Sequence, residues 1–273
     1  YLIGLMSKNN QQSVCYNKYT YKIGGLIMKI TIDDQLFDAI PGLCIGVVAL
    51  RAADNRGVNM EAEAFRRRCC TETNLLLKMN PAMADKEIKQ YQDAMDKVGL
   101  SGHMTGLEKT WKEYKKDLGL SEEEEAEASK DVEVLSMPKK ANLDELAGSD
   151  VLPRVSPIMD MIRAGMLKFH VDIHGYDLGD RKEPLVIQKT SDDVTVSLGD
   201  NLCHGHWLSG DGSLGKVTEN SENVLILMTG FASNRKKVTA ARNELARRMK
   251  SAFDRAVEVG WLEGDVHEFT TDI

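Results

Sequence analysis

The stretch PGLCIGVVAL, Pro41 to Leu50, is a continuous apolar run rich in valine and isoleucine and opened by Pro-Gly. Its shortness and its β-branched residues give it the profile of a strand buried on both faces. Upstream lies a short alternating KITI, Lys29 to Ile32, and then an amphipathic turn. Downstream, from Met60 to Leu118, the pattern becomes helical in EAEAFRRRCCTETNLLLKM, ADKEIKQYQDAMDKVG and LEKTWKEYKKDLGL. Asn-Pro and Gly-rich breaks, which stop helices, separate the three. SPIMDMIRAGMLKF (Ser156 to Phe169) begins with an N-cap serine and a first-turn proline and sets Ile158, Met161, Ile162 and Met166 on one face. Short β-like pieces follow, PLVIQKT, DVTVSL and NVLILMT, then a long helix from about Arg235 to Val259 and a terminal strand in DVHEFT. Helices grouped between strands, with no repeat and no strict βαβ rhythm, predict an α+β fold: a mixed β-sheet core with flanking helices.

The chain has 273 residues, 42% apolar and 28% charged, enough to bury a sizeable core. Residues 1–27 contain no Asp or Glu, are rich in Asn, Gln and Tyr, and lack the apolar region and cleavage signal of a secretory peptide. Met28 opens MKITIDDQLFDAI as a domain would, so residues 1–27 are expected to be an extension and 28–273 the domain. The whole chain carries a formal charge of −7; without Lys8, Lys18 and Lys22 it has 32 basic against 42 acidic residues, or −10. A nucleic-acid partner must therefore be met by a local basic patch. SEEEEAEASKDVEV reads as a capped, charged surface helix whose Glu122 to Glu125 run repels phosphates, and PKKANLDELAGSD as a polar connector. No apolar run reaches the roughly 20 residues of a membrane span. Five cysteines, with only Cys69 and Cys70 adjacent, form no disulfide framework and predict a cytoplasmic setting.

Two histidine clusters carry the candidate chemistry, HVDIHGYDLGD (His170 to Asp180) and CHGH (Cys203 to His206). Together they offer enough nitrogen and sulfur for a zinc site. Against it, a zinc HxxxH pair rides on a helix, whereas Gly175 ends any helix here at once. In an extended segment His170, Asp172 and His174 share one face, but positions i and i+4 then lie roughly 13 Å apart. Histidines that hydrogen-bond a loop are the stronger reading, and no metal is expected. No GxSxG, protease-like cysteine or phosphate-cradling glycine loop occurs. SGDGSLG, Ser209 to Gly215, is a turn or a loop whose N–H groups approach a ligand. The C-terminal helix buries Val238, Ala241, Leu245, Met249, Ala252 and Ala256 and carries Arg235, Lys236, Lys237, Arg242, Arg247, Arg248 and Lys250. That surface is either a solvated face balanced by Glu244 and Asp254 or a phosphate-contacting patch.

Three stretches in order, FDAIPGLCIGVVALRAADN (Phe37 to Asn55), LPRVSPIMDMIRAGMLKFHVDIHGYDLGD (Leu152 to Asp180) and KVTENSENVLILMTGF (Lys216 to Phe231), resemble the B3/B4 domain. This is the editing domain of the phenylalanyl-tRNA synthetase beta subunit, and the likeness is greater to freestanding proteins built from it; WKEYKKDLGL resembles their tryptophan-tyrosine helix. The resemblance implies a tRNA-binding protein that deacylates misacylated tRNA, using a positioned water and oxyanion donors and no cofactor. His174 matches the pocket histidine and is the implied catalytic residue. Tyr176, Asp177, Trp207, Gly210, Gly212 and Leu227 are the implied substrate contacts, with Trp207 either stacking on a terminal base or buried in the core. Lys236, Lys237, Arg247 and Arg248 are the expected tRNA contacts. Departures are as informative. Asp172 stands where the synthetase pattern has proline, many freestanding relatives have glycine at the position of His174, and His204, Gly205, His206 and Trp207 replace an Arg-Trp signature. Leu227 replaces a glutamate that reads the tyrosine hydroxyl, so an apolar or small amino acid is the expected substrate. The alternative on the same fold is a non-catalytic module that binds an amino acid or a similar small ligand.

Overall fold

A computed structural model describes residues 28–120, 152–191, 193–204, 206–209 and 215–271, with the backbone alone at Pro81 and residues 201–204. The extension at 1–27, the acidic segment SEEEEAEASKDVEV and the connector that follows it lie outside these residues.

The apolar run at Pro41 to Leu50 supplies β2 (Cys44–Leu50), every residue of which is buried. NVLILMT supplies a second fully buried strand, Val224–Gly230, which pairs antiparallel with β2 from Cys44↔Gly230 to Leu50↔Val224. Numbered in chain order, the remaining strands are β1 (Met28–Ile32), β3 (Asp172–Asp177), β4 (Leu185–Lys189), β5 (Val194–Leu198) and β6 (Asn201–His204). Val224–Gly230 is β7, and β8 (Val257–Glu263) and β9 (Glu268–Thr271) complete the set. The core is α+β as expected, but its strands divide between two sheets. An antiparallel sheet has the order β3-β7-β2-β8; a mixed one has the order β6-β5-β4-β1-β9, in which β1 and β4 are parallel. One cluster of buried apolar side chains draws on both sheets and on the helices.

The helices are α1 (Asp34–Ala39), α2 (Met60–Met79), α3 (Pro81–Lys97), α4 (Gly106–Asp117), α5 (Pro157–Phe169) and α6 (Arg235–Phe253). Ser156 caps α5 and Pro157 opens it; Ile158, Met161, Ile162 and Met166 are buried together as their spacing requires. α6 buries Val238, Ala241, Leu245 and Met249 but stops at Phe253, where Asp254 takes a left-handed conformation. The expected continuation to Val259 is corrected, because β8 begins at Val257 and pairs along the whole length of β2. No helix among the described residues is long and apolar enough to cross a membrane.

Asn55, fully buried, pins three segments. Its Nδ2 donates to Ser156 Oγ at 3.2 Å and to the Thr218 carbonyl at 2.7 Å, and its Oδ1 accepts from Ile158 N–H at 2.8 Å. The start of α5, which leads into β3, is thereby fixed relative to β2.

Candidate functional site

The segment that carries the implied pocket histidine, His174, is strand β3, and the period of two decides what its side chains meet. Asp172 and His174 share one face. On that face sits the N-terminus of α4, capped by Thr105, whose hydroxyl accepts from Glu108 N–H at 3.2 Å. Leu107 N–H donates to Asp172 Oδ2 at 3.0 Å, placing the carboxylate where the helix dipole favours negative charge. Asp172 Oδ1 lies 2.5 Å from His174 Nε2, an ion-pair approach without good hydrogen-bond alignment. The carboxylate side chain is wholly buried and the imidazole is 9% exposed.

Gly106 makes this contact possible. A Cβ at 106 would lie 2.9 Å from His174 Cε1 and 3.4 Å from Nε2, so only glycine lets α4 approach the ring so closely. Gly106 N–H in turn donates to the Leu208 carbonyl at 2.8 Å, and Lys109 Nζ donates to the Ser209 carbonyl at 2.8 Å, tying the 206–209 segment onto α4. Across the sheet His174 is in register with Leu227, which is 2% exposed and presents an apolar wall.

Other expected contacts are structural. Tyr176 is buried, and Asp177 fixes the turn beyond β3, accepting from Gly179 N–H at 2.9 Å and from Ser221 Oγ at 2.8 Å. Trp207 is 1% exposed, so its indole belongs to the core and has no open face for a base. Gly210 and Gly212 lie outside the described residues. His206 packs against His103 with ring centroids 4.0 Å apart and the rings tilted by 40°, and contacts Asp193 at 3.1 Å.

His170, to which the resemblance gives no role, ends α5 in a left-handed conformation. Its Nδ1 is hydrogen-bonded to Glu87 Oε2, and Glu87 Oε1 accepts from Lys237 Nζ at 2.5 Å. Burial works to raise the Glu87 pKa, but the bonds from Lys237 and His170 outweigh it and hold the carboxyl below its ordinary range. Burial lowers the His170 pKa, opposed by Glu87. These residues line a polar cleft of about 390 Å³ with Gln90, Ser233, Asn234 and Lys236. Two of the four expected tRNA contacts, Lys236 and Lys237, therefore come together. The other two are used within the fold: Arg247 and Arg248 both bond Glu244, and Arg248 also bonds Glu61 at 2.5 Å.

Tyr91 stands between the cleft and the Asp172–His174 pair. Its hydroxyl donates to the Thr229 carbonyl at 2.8 Å and accepts from Asn234 Nδ2 at 3.1 Å; burial, reinforced by the Asp172 charge, pushes its pKa far up. Sequence reasoning missed Glu87, Tyr91 and Asn234. Glu87 and Tyr91 occupy one stretch of α3 that reads as an ordinary amphipathic helix, and their partners lie 83 and 138 residues away. No protein-family model matches the chain, and no curated protein is significantly similar to it.

Proposed function

We propose that the chain is a cytoplasmic B3/B4-like domain that binds the 3′ end of aminoacyl-tRNA and hydrolyses a misattached amino acid with a positioned water. The observation that carries this reading is the Asp172–His174 pair. A wholly buried carboxylate, itself held by Leu107 N–H, sits 2.5 Å from the imidazole that the resemblance makes catalytic. Such a contact orients the ring, as a general base acting on water requires. Leu227 beside His174 offers a tyrosine hydroxyl no acceptor, and leaving that group unpaired costs about 1–3 kcal/mol, which favours an apolar or small amino acid. Lys236, exposed in the first turn of α6, supplies local positive charge that an acidic chain needs in order to meet RNA, whereas Lys237 beside it is paired with Glu87.

A second reading, the non-catalytic amino-acid-binding module, is favoured by one observation: the His174 ring is 9% exposed and lies under the backbone of α4 at Gly106. A panel of mischarged tRNAs, incubated with and without chelator, separates the two. Chelator-insensitive turnover, fastest for apolar or small amino acids, supports hydrolysis. Saturable binding without turnover supports the module. Neither binding nor turnover removes both, and preference for Tyr-tRNA contradicts the role given to Leu227.

A further inference from the structure

His103 and His206, which the sequence does not group together, meet at the surface. His103 is exposed in the loop before α4, and His206 follows β6 with its side chain 36% exposed. Their ring centroids are 4.0 Å apart and the planes are tilted by 40°. Two imidazoles bound side by side to one ion, at metal–nitrogen distances of about 2.0–2.1 Å, have centroids about 4.5–5 Å apart. The pair reaches that geometry by opening about 0.5–1 Å, a small movement for exposed side chains. A second observation concerns Asp193, whose two carboxylate oxygens both lie 3.1 Å from His206 Nδ1. In the neutral ring a carboxylate there takes the Nδ1 proton, which fixes the tautomer and leaves Nε2 with the lone pair. That is the support a metal-bound histidine ordinarily has. Among the described residues nothing hydrogen-bonds His206 Nε2.

We propose that His103 and His206 bind one divalent transition-metal ion of the zinc and copper class, through one nitrogen each, with Asp193 orienting His206 from behind. Imidazole nitrogen suits these ions and not magnesium or calcium, which take oxygen. Among the described residues no three His, Cys, Asp or Glu side chains are grouped to hold an ion, so the pair is a two-nitrogen site and water fills the other positions. The ion would act as a clasp. Gly106 N–H already donates to the Leu208 carbonyl, and Lys109 Nζ to the Ser209 carbonyl, both at 2.8 Å. An ion held between His103 and His206 ties the same two segments a third time, beside the helix start that covers His174. The proposal is independent of whether the chain hydrolyses aminoacyl-tRNA, an activity assayed with chelator present.

Calorimetric titration of the full chain, prepared without a histidine tag, with zinc chloride tests it. The expected result is one saturable zinc site, tighter binding of copper(II) than of zinc, and no binding of magnesium. With copper(II) bound, electron paramagnetic resonance is expected to show hyperfine coupling to two imidazole nitrogens. His103→Ala and His206→Ala, both at accessible side chains, are each expected to lower zinc affinity by about 100-fold or more, and Asp193→Asn by about tenfold. Zinc is also expected to raise the midpoint of thermal unfolding of the wild-type chain and not of His103→Ala, because only the former gains the clasp. Absence of saturable zinc binding by the wild-type chain overturns the proposal. So does binding that is indifferent to His103→Ala, His206→Ala or Asp193→Asn, or a copper spectrum with a single nitrogen ligand.

Discussion

Replacing Asp172 by alanine removes a carboxylate with no exposed surface from between the start of α4 and His174. Its bond from Leu107 N–H, at 3.0 Å, is of the charge-assisted kind that contributes about 1.5–3 kcal/mol. Alanine leaves that N–H buried without its acceptor. It also takes an anion from the first turn of α4, worth about a further 0.3–1 kcal/mol. His174 at the same time loses a partner 2.5 Å away, and leaving a buried polar group without its partner costs about a further 1–3 kcal/mol. We expect a loss of about 3–5 kcal/mol in urea unfolding followed by tryptophan fluorescence, a large part of the roughly 5–15 kcal/mol that stabilises an ordinary domain. Asp172→Asn keeps the shape and an acceptor oxygen for Leu107, so its loss should be smaller, about 1–3 kcal/mol. An Asp172→Ala loss below about 1 kcal/mol would show that the carboxylate does not pin α4 to β3.

Gly106→Ala places a methyl 2.9 Å from His174 Cε1, which forces the ring or α4 to move; a destabilisation of about 1–3 kcal/mol is expected in the same assay. It should lower ester cleavage as well, because the ring loses its orientation. Glu63, bonded first by Arg66 and then by Arg154 and Arg67, has its pKa lowered to about 2. A depressed carboxyl pKa gives stability that is complete above the unfolded value, near 4.3, and is lost as pH falls through the folded one. Unfolding measured from pH 5 down to pH 2 should therefore show about 2–3 kcal/mol of acid sensitivity that Glu63→Gln lacks, and parallel profiles for the two proteins would contradict it.

The sequence made the central strands and the capped helix readable because burial on both faces leaves a continuous apolar run, and a serine-proline start has one local meaning. β2, β7 and α5 stand where those signals put them. β8 was hidden because it is a half-exposed edge strand whose VEVGWLE follows directly on a helical pattern, and because Asp254 rather than glycine ends α6. The division into two sheets rests on pairings such as β1 with β4, Ile30↔Leu185, which no local pattern encodes. At the site, residue type pointed to His174 and an extended reading set Asp172 on the same face, but the start of α4 that holds the carboxylate lies 65 residues upstream and no local pattern brings it there. The role of His170 was not legible because its partner Glu87 belongs to a helix 83 residues upstream.

The most direct test of the central claim is single-turnover hydrolysis of a tRNA mischarged with an apolar or small amino acid, with chelator present, comparing wild type with His174→Ala. The account predicts cleavage by the wild-type chain that falls by about 10²-fold or more in His174→Ala while tRNA binding is retained. Equal rates for the two proteins, or no cleavage by wild type of any ester in the panel, would contradict it.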